Sequence, residues 1–131
     1  MEVPEGTTVL LVEDEWMLRE VIADELADAG YAVTEASSGD RAIKLFGQKF
    51  DFLLTDIRMP GVVNGWDLAE AARATQPHIA VIYMTGYSNV PERRVPDSQL
   101  IAKPFSASEI ITLMRSERPG CAHAISKASG T

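Results

Sequence analysis

The sequence is 131 residues long, with 46% apolar and 24% charged residues, which suits a single domain with a buried core. Its formal net charge of −7 argues against nonspecific binding to nucleic acid, because an acidic protein repels phosphate. The single cysteine, Cys121, excludes disulfide and zinc frameworks, and the lack of a secretion signal or a bilayer-length apolar run predicts a cytoplasmic protein with no membrane partner.

A strand followed by a helix is predicted at the start of the chain. Residues 9–12 are all apolar, as in a buried strand, and end at Glu13 and Asp14. A helix is predicted next, and Gly30 is suited to end it. The apolar residues on one face of this helix are Leu18, Val21, Ile22, Leu26 and Ala29.

A second strand and helix follow the first pair. Residues 31–36 alternate between apolar and polar, which indicates a half-buried strand. Ser38 can cap the second helix. The inner face of that helix is predicted to carry Ala42, Ile43 and Phe46. The next apolar strand, residues 52–55, ends at Asp56.

The third helix is predicted to begin at Asn64 and to end before Pro77. Its buried side should hold Leu68, Ala71 and Ala72. The fourth strand, residues 79–84, is continuously apolar and ends at Thr85.

The last part of the chain predicts a short strand and one clear helix. Two prolines within residues 88–97 predict a short or mobile helix there. Residues 100–102 form a brief strand that ends at Lys103. Residues 106–109 have the Ser-x-x-Glu pattern of a capping box. The helix that follows should bury Ile110, Leu113 and Met114.

These elements predict an α/β fold, a (βα)5 doubly wound five-stranded parallel sheet with four clear helices. The first, third and fourth strands are continuously apolar and therefore central, whereas the second alternates and the fifth is brief, as edge strands are. Right-handed crossovers then favour the strand order 2-1-3-4-5. In such sheets ligands bind at the carboxyl ends of the strands, at the switch point between strands one and three.

Polar side chains follow four of the predicted strands and should meet at that edge. They are Glu13, Asp14, Asp56, Thr85 and Lys103. Clustered carboxylates repel each other, and Mg²⁺ relieves the repulsion because it prefers oxygen ligands. With the metal and Lys103 neutralising a phosphoryl group, Asp56 can attack phosphorus and form an aspartyl phosphate, to which Thr85 donates a hydrogen bond.

The same residues form short motifs that resemble the receiver domain of two-component response regulators. The motifs are residues 12–15 (Val-Glu-Asp-Glu), residues 55–60 (Thr-Asp-Ile-Arg-Met-Pro) followed by Asn64 and Gly65, residues 85–86 (Thr-Gly) and residues 103–105 (Lys-Pro-Phe). Each motif is weak alone, but their order at predicted strand ends is specific. The resemblance implies a flavodoxin-like, CheY-like fold over residues 7–116 and a role in phosphorelay signalling.

The resemblance also assigns the metal site. Asp56 corresponds to the family's phosphoacceptor. Asp14 and Asp56 would bind Mg²⁺ directly together with the backbone carbonyl of Arg58, and Glu13 would contribute through water.

The remaining assignments concern the phosphoryl group and its source. Thr85 and Lys103 would bind the phosphoryl group, and the peptide bond from Lys103 to Pro104 would be cis. The donor would be a histidine kinase or a histidine phosphotransfer protein. The chain would signal to an unknown downstream protein by contact and would assist its own phosphorylation and dephosphorylation without being an enzyme with a separate substrate.

Two departures from the family pattern bear on signal output. Leu100 occupies the usual aromatic switch position, so that a rotating ring cannot carry the signal there. Residues 83–87 (Tyr-Met-Thr-Gly-Tyr) are similar to the FATGUY-type subset of receivers, in which a nearby aromatic replaces that switch. We therefore expect phosphorylation to order residues 88–96.

The ends of the chain are predicted to lie outside the domain. Residues 1–6 would be an N-terminal extension, and residues 117–131, with few apolar positions, would be a flexible C-terminal tail. This pattern indicates a single-domain regulator, with an excised receiver of a hybrid kinase as the alternative.

Two other classes share parts of the pattern. A Mg²⁺-dependent aspartyl-phosphate hydrolase would have a second acid two residues after its nucleophile, where this chain has Arg58. A flavin-binding protein would have a phosphate-cradling loop after the first strand, and residues 13–15 (Glu-Asp-Glu) would repel a flavin phosphate.

Overall fold

The computed structural model describes residues 6–86 and 93–116. Five parallel strands form one sheet in the order β2-β1-β3-β4-β5, which confirms the predicted order. The strands are β1 (Thr8–Val12), β2 (Ala32–Ala36), β3 (Phe52–Asp56), β4 (Ala80–Thr85) and β5 (Gln99–Ala102). The helices within the described residues are α1 (Trp16–Asp28), α2 (Gly39–Ala42), α3 (Gly65–Thr75) and α4 (Ala107–Ser116), and a 3-10 turn (Ile43–Leu45) follows α2.

The core has two layers, one on each face of the sheet. Because successive strand residues point to opposite faces, β1, β3 and β4 supply both layers. One layer packs against α2 and α3 and includes Leu10, Leu53, Trp66, Leu68 and Tyr83. The other packs against α1 and α4 and includes Leu11, Ile22, Leu26, Phe52 and Met84. Burial of the central strands on both faces fixes which residues stand at their carboxyl ends.

The predicted helix boundaries have the expected local causes. Gly30, at φ 105°, follows the last turn of α1, a conformation that glycine adopts without a Cβ clash. Asn64 and Asp67 form a capping box at the start of α3. At the start of α4, the Ser106 N–H donates to Glu109 (2.7 Å) and the Glu109 N–H donates to Ser106 Oγ (3.2 Å).

Several side chains predicted to lie on buried helix faces are not fully buried. Val21 is 57% exposed, and the partly buried ones include Leu18, Ala29, Phe46 and Leu113. Ile43 is 38% exposed, because the α-helix that Ser38 caps ends at Ala42 and the tighter 3-10 turn rotates the next position outward. Ala71 is only partly buried, whereas Ala69 is fully buried. The helical stripe of α3 is therefore displaced from the predicted one.

The proline-containing segment between β4 and β5 lies partly outside the described residues. Residues 93–98 are described and contain no helix. Asp97 adopts φ 58° in the turn that precedes β5. We expect phosphorylation to order residues 88–96. Most of these, residues 88–92, lie outside the described residues.

No helix in the described residues has the length and apolar character to cross a membrane.

Candidate functional site

Three carboxylates gather at the carboxyl ends of β1 and β3. Oxygen atoms of Glu13, Asp14 and Asp56 all lie within 4.8 Å of one another. Glu13 is 1% exposed and Asp56 is 7% exposed, whereas Asp14 is open to solvent. The sequence predicts this convergence, and the parallel sheet produces it because β1 and β3 are paired neighbours.

The backbone of Glu13 is held on both sides. Its N–H donates to the Ala36 carbonyl at the end of β2 (3.2 Å), and its own carbonyl accepts from Arg19 Nη1 (2.7 Å). Arg19 also pairs with Glu35 (3.3 Å). The Glu15 N–H donates to Glu13 Oε2 (3.1 Å), so the carboxylate is oriented as well.

Asp56 is fixed by its own loop and by α3. The Ile57 N–H donates to Asp56 Oδ1 (3.0 Å), and the Gly65 N–H donates to the Ile57 carbonyl (2.8 Å). A Cβ at Gly65 would overlap the Asp56 carbonyl oxygen. The first residue of α3 therefore approaches the Asp56 backbone at a distance that only glycine permits.

Lys103 joins the two buried acids. Its ammonium lies 3.0 Å from Glu13 Oε1 and 3.2 Å from Asp56 Oδ2. The Lys103 N–H donates to the Thr85 carbonyl (2.7 Å), and the peptide bond to Pro104 is cis, as the resemblance implied. The end of β5 thus places the Lys103 ammonium at the same edge of the sheet as the carboxylates.

The cluster holds more negative charge than the ammonium balances. Burial, together with the nearby Asp56 charge, raises the pKa of Glu13 to about 7. Burial also raises the pKa of Asp56, although Lys103 opposes the rise. Burial lowers the pKa of Lys103, but its bonds to Glu13 and Asp56 outweigh that effect and raise the pKa overall. A divalent cation would relieve this imbalance.

Thr85 ends β4, as predicted, and Arg58 lies in the loop after β3. Thr85 is 5% exposed at the end of β4, next to the position at which Met84 faces Asp56 in the sheet. Arg58 is an exposed residue of the loop after β3. Their roles in binding a phosphoryl group and a metal stay predictions.

Two residues that organise the site were not recognised as such from the sequence. In the sequence, Arg19 is an ordinary polar residue of an amphipathic helix. Its position along the chain does not indicate that its side chain donates to the Glu13 carbonyl. Gly65 was part of a recognised motif, but its contact with the Asp56 backbone depends on how α3 returns to the sheet. Neither contact leaves a periodic signal.

The described residues match a known family over most of their length. The sequence model of the response regulator receiver domain matches residues 9–115. The chain is 33% identical over 108 residues to the response regulator receiver protein CpdR of Brucella abortus, covering 79% of this chain and 89% of that protein. It is 35% identical over 117 residues to the sensor kinase CckA of the same organism, covering 84% of this chain but 12% of the kinase.

The first relatives differ in length. The chain spans 23% of the response regulator protein FleR of Pseudomonas aeruginosa, to which it is 32% identical over 111 residues, or 81% of this chain. The relatives therefore include proteins of similar length and much longer proteins.

Solved structures share the fold. A response regulator receiver protein from Sinorhizobium medicae superposes with a TM-score of 0.81 at 35% identity, covering 87% of this chain and 95% of that one. The response regulator TrrA of Thermotoga maritima, solved in complex with Mg²⁺-BeF, gives a TM-score of 0.72 at 28% identity, covering 84% of this chain and 97% of that one.

Proposed function

Because the chain belongs to the family of response regulator receiver domains, which act in two-component phosphorelay signalling, we propose that Asp56 is its phosphoacceptor. The observation that carries the proposal is the position of Asp56 between the Lys103 ammonium and the acidic residues at the end of β1. A carboxylate in this setting can act as a nucleophile toward phosphorus once the surrounding negative charge is neutralised.

The donor set fits Mg²⁺. Hard carboxylate and carbonyl oxygens are its preferred ligands, and an exposed acid leaves room for the waters it retains. Asp14 and Asp56 would bind the ion directly with the Arg58 carbonyl, and Glu13, already bonded to Lys103, would act through water. When bound, Mg²⁺ supplies charge neutralisation and orientation for the phosphoryl oxygens.

The chain's own residues would carry out the transfer. The Asp56 carboxylate forms a new bond to phosphorus while the phosphorus–nitrogen bond to the donor histidine breaks, and the histidine nitrogen keeps the electron pair and takes up a proton. Lys103 would move its hydrogen bond from Asp56 to a phosphoryl oxygen. The Thr85 hydroxyl would donate to another, since it stands at the end of the adjacent strand.

The protein would signal through contacts with other proteins. We propose a histidine kinase or a histidine phosphotransfer protein as the phosphodonor, because CckA, a sensor kinase, carries a segment similar to this chain. The domain would return to its resting state by hydrolysis of the aspartyl phosphate, which its own site assists.

An apolar surface beside the site favours a protein donor. Trp16 is 60% exposed, Met17 is 59% exposed and Val21 is 57% exposed on the first turns of α1, which begins two residues after Asp14. A small-molecule donor would need no such surface, whereas a docking protein would bury it. The downstream partner would likewise be a protein, since the chain is acidic overall.

The domain limits and location are also proposed. Residues 7–116 would form the receiver domain, with residues 1–6 and 117–131 outside it. A cytoplasmic location would place the chain with its phosphodonor.

Intact-mass analysis tests the proposal. Incubation of the parent chain with acetyl phosphate and Mg²⁺ should add one phosphoryl group, and chelation of Mg²⁺ should prevent the addition. Asp56→Asn should remain unmodified, whereas the control Asp24→Asn, at an exposed position of α1, should behave like the parent. An Asp56→Asn chain that is still phosphorylated would refute the assignment, and repeated turnover of a phosphate ester by the parent would favour the hydrolase.

A further inference from the structure

The segment of residues 93–98, which precedes β5, is fastened to α3 by two arginines. Arg93 Nη2 lies 2.7 Å from Glu70 and 3.2 Å from Asp67. Arg73, on the same helix, donates to the Pro96 carbonyl (2.6 Å). The segment is thus attached to α3 at Arg93 and at Pro96.

A buried contact fastens the same segment to β4. The Val95 N–H donates to the Tyr83 hydroxyl (3.1 Å). Tyr83 is 0% exposed and Val95 is 7% exposed, and the Tyr83 ring lies 4.8 Å from the Trp66 ring. Because this hydrogen bond is sheltered from water, it holds the segment more firmly than the exposed ion pairs do.

The two elements that hold residues 93–98 also form the walls of the candidate site. On β4, Tyr83 and Thr85 are two residues apart and therefore face the same side of the sheet. On α3, Gly65 packs against the Asp56 backbone, and the next residue, Trp66, contacts Tyr83. The contacts that hold the segment are therefore continuous with those around Asp56.

On β5, Leu100 cannot make a hydrogen bond like that of the Tyr83 hydroxyl. Leu100 is 36% exposed and has neither a ring nor a hydroxyl. Tyr83 has both and is already bonded to the segment.

We propose, on the premise that Asp56 accepts the phosphoryl group, that attachment of residues 93–98 through Tyr83 is positively coupled to phosphorylation of Asp56. In the structure the segment is attached while both walls of the site are in place: Gly65 packs against the Asp56 backbone, and Thr85 ends the strand that pairs with β3. Attachment holds the end of β4 and the start of α3 in the geometry that the phosphoryl group requires. Tyr83 is thus a positioning residue. Residues 93–98, which include Val95, are the element whose attachment depends on the phosphorylation state.

Coupling of this kind is reciprocal. If attachment strengthens binding of a phosphoryl group, then the phosphoryl group must strengthen attachment by the same factor. The proposal therefore makes a claim about affinity and a claim about protection of the segment, and both can be measured.

The variant Tyr83→Phe removes the hydroxyl and keeps the ring. Tyr31→Phe is its matched control, because Tyr31 is a buried tyrosine in the opposite core layer. With Mg²⁺ saturating, the affinity for beryllofluoride, measured by calorimetry, should fall about fivefold or more in Tyr83→Phe and stay near the parent value in Tyr31→Phe. In the parent, hydrogen exchange of the Val95 amide should slow when beryllofluoride binds.

Equal beryllofluoride affinities in the parent and in Tyr83→Phe would overturn the proposal, and so would tighter binding by the variant. A merely structural hydroxyl would lower the melting temperature equally with and without the ligand and would leave the affinity unchanged. If the parent itself neither binds beryllofluoride nor becomes phosphorylated, the proposed function fails instead.

A surface variant keeps the test decisive if Tyr83→Phe does not fold. Arg93→Gln removes the exposed ion pairs to α3, and its control, Arg41→Gln, lies at an exposed position without an ion pair to any described residue. Arg93→Gln should weaken beryllofluoride binding about twofold, since exposed ion pairs contribute little. Identical affinities in both arginine variants would count against the coupling.

Discussion

The Lys103 ammonium and the Glu13 carboxylate form a 3.0 Å ion pair between residues 90 positions apart in the chain. Glu13 is almost fully buried and Lys103 is about three-quarters buried at its side chain. The pair makes Lys103 the bridge between the acid at the end of β1 and Asp56 at the end of β3. Its loss would leave buried carboxylates facing each other without a compensating charge.

Lys103→Met should therefore abolish most phosphorylation while sparing metal binding. Removal of one charged hydrogen-bond donor from a developing transition state slows a reaction by about 10²–10³-fold, and we expect a loss of that order in the rate with acetyl phosphate. Mg²⁺ should bind at least as tightly, because one competing cation is gone. The control Lys44→Met removes an exposed lysine with no ion pair to a described residue, and an equal loss in that variant would contradict the assignment.

The raised pKa of Glu13 predicts a pH-dependent stability for the metal-free protein. An acid whose pKa rises on folding from 4.5 to about 7 binds more protons in the folded state within that window, so stability falls as pH increases through it. Mg²⁺ should oppose the fall, since it replaces the proton, and its affinity should increase over the same window. Melting temperatures measured with Mg²⁺ and with a chelator test both statements.

The variant Glu13→Gln supplies the control for that pH profile. Without an ionisable group at position 13, the fall in melting temperature of the metal-free protein should become shallower, with the remainder due to Asp56, whose pKa burial also raises. Glu25→Gln, at an exposed position of α1, should keep the parent profile. A profile that is unchanged in Glu13→Gln would assign the effect to other groups.

The strands and the positions of the acids could be predicted because long-range and local signals agreed. Uninterrupted apolar runs identify buried parallel strands, and each run ends where the charged residues begin, so strand order alone brought Glu13, Asp56 and Lys103 together. The short α2 and the attachment of residues 93–98 could not be predicted. They depend on tertiary contacts, such as the Tyr83 hydroxyl on Val95, that leave no pattern along the chain.

Gly65→Ala should destabilise the protein through the approach of α3 to Asp56. A Cβ at this position would overlap the Asp56 carbonyl oxygen, and relief of such an overlap costs about 1–3 kcal/mol in the free energy of unfolding. Gly47→Ala is the matched control, since a Cβ there meets nothing within 4 Å. Urea unfolding should show a lower midpoint for Gly65→Ala only. Equal midpoints in both variants would show that α3 can move away from Asp56 without a loss in the free energy of unfolding.

The exposed face of α1 should distinguish protein phosphodonors from small ones. Trp16→Ala combined with Met17→Ala removes the two most exposed large side chains beside Asp14 and leaves the acids in place. Truncation of apolar anchors in an interface costs about 1–2 kcal/mol each, so transfer from the phosphohistidine protein that phosphorylates the parent should lose at least tenfold in kcat/KM. Phosphorylation by acetyl phosphate should be unchanged, because that donor needs no docking surface.

The control variant is Ile43→Ala. It shortens another exposed apolar side chain, 38% exposed and remote in sequence from α1, and should keep both activities. Equal transfer rates in the double variant and the parent would show that the donor docks elsewhere.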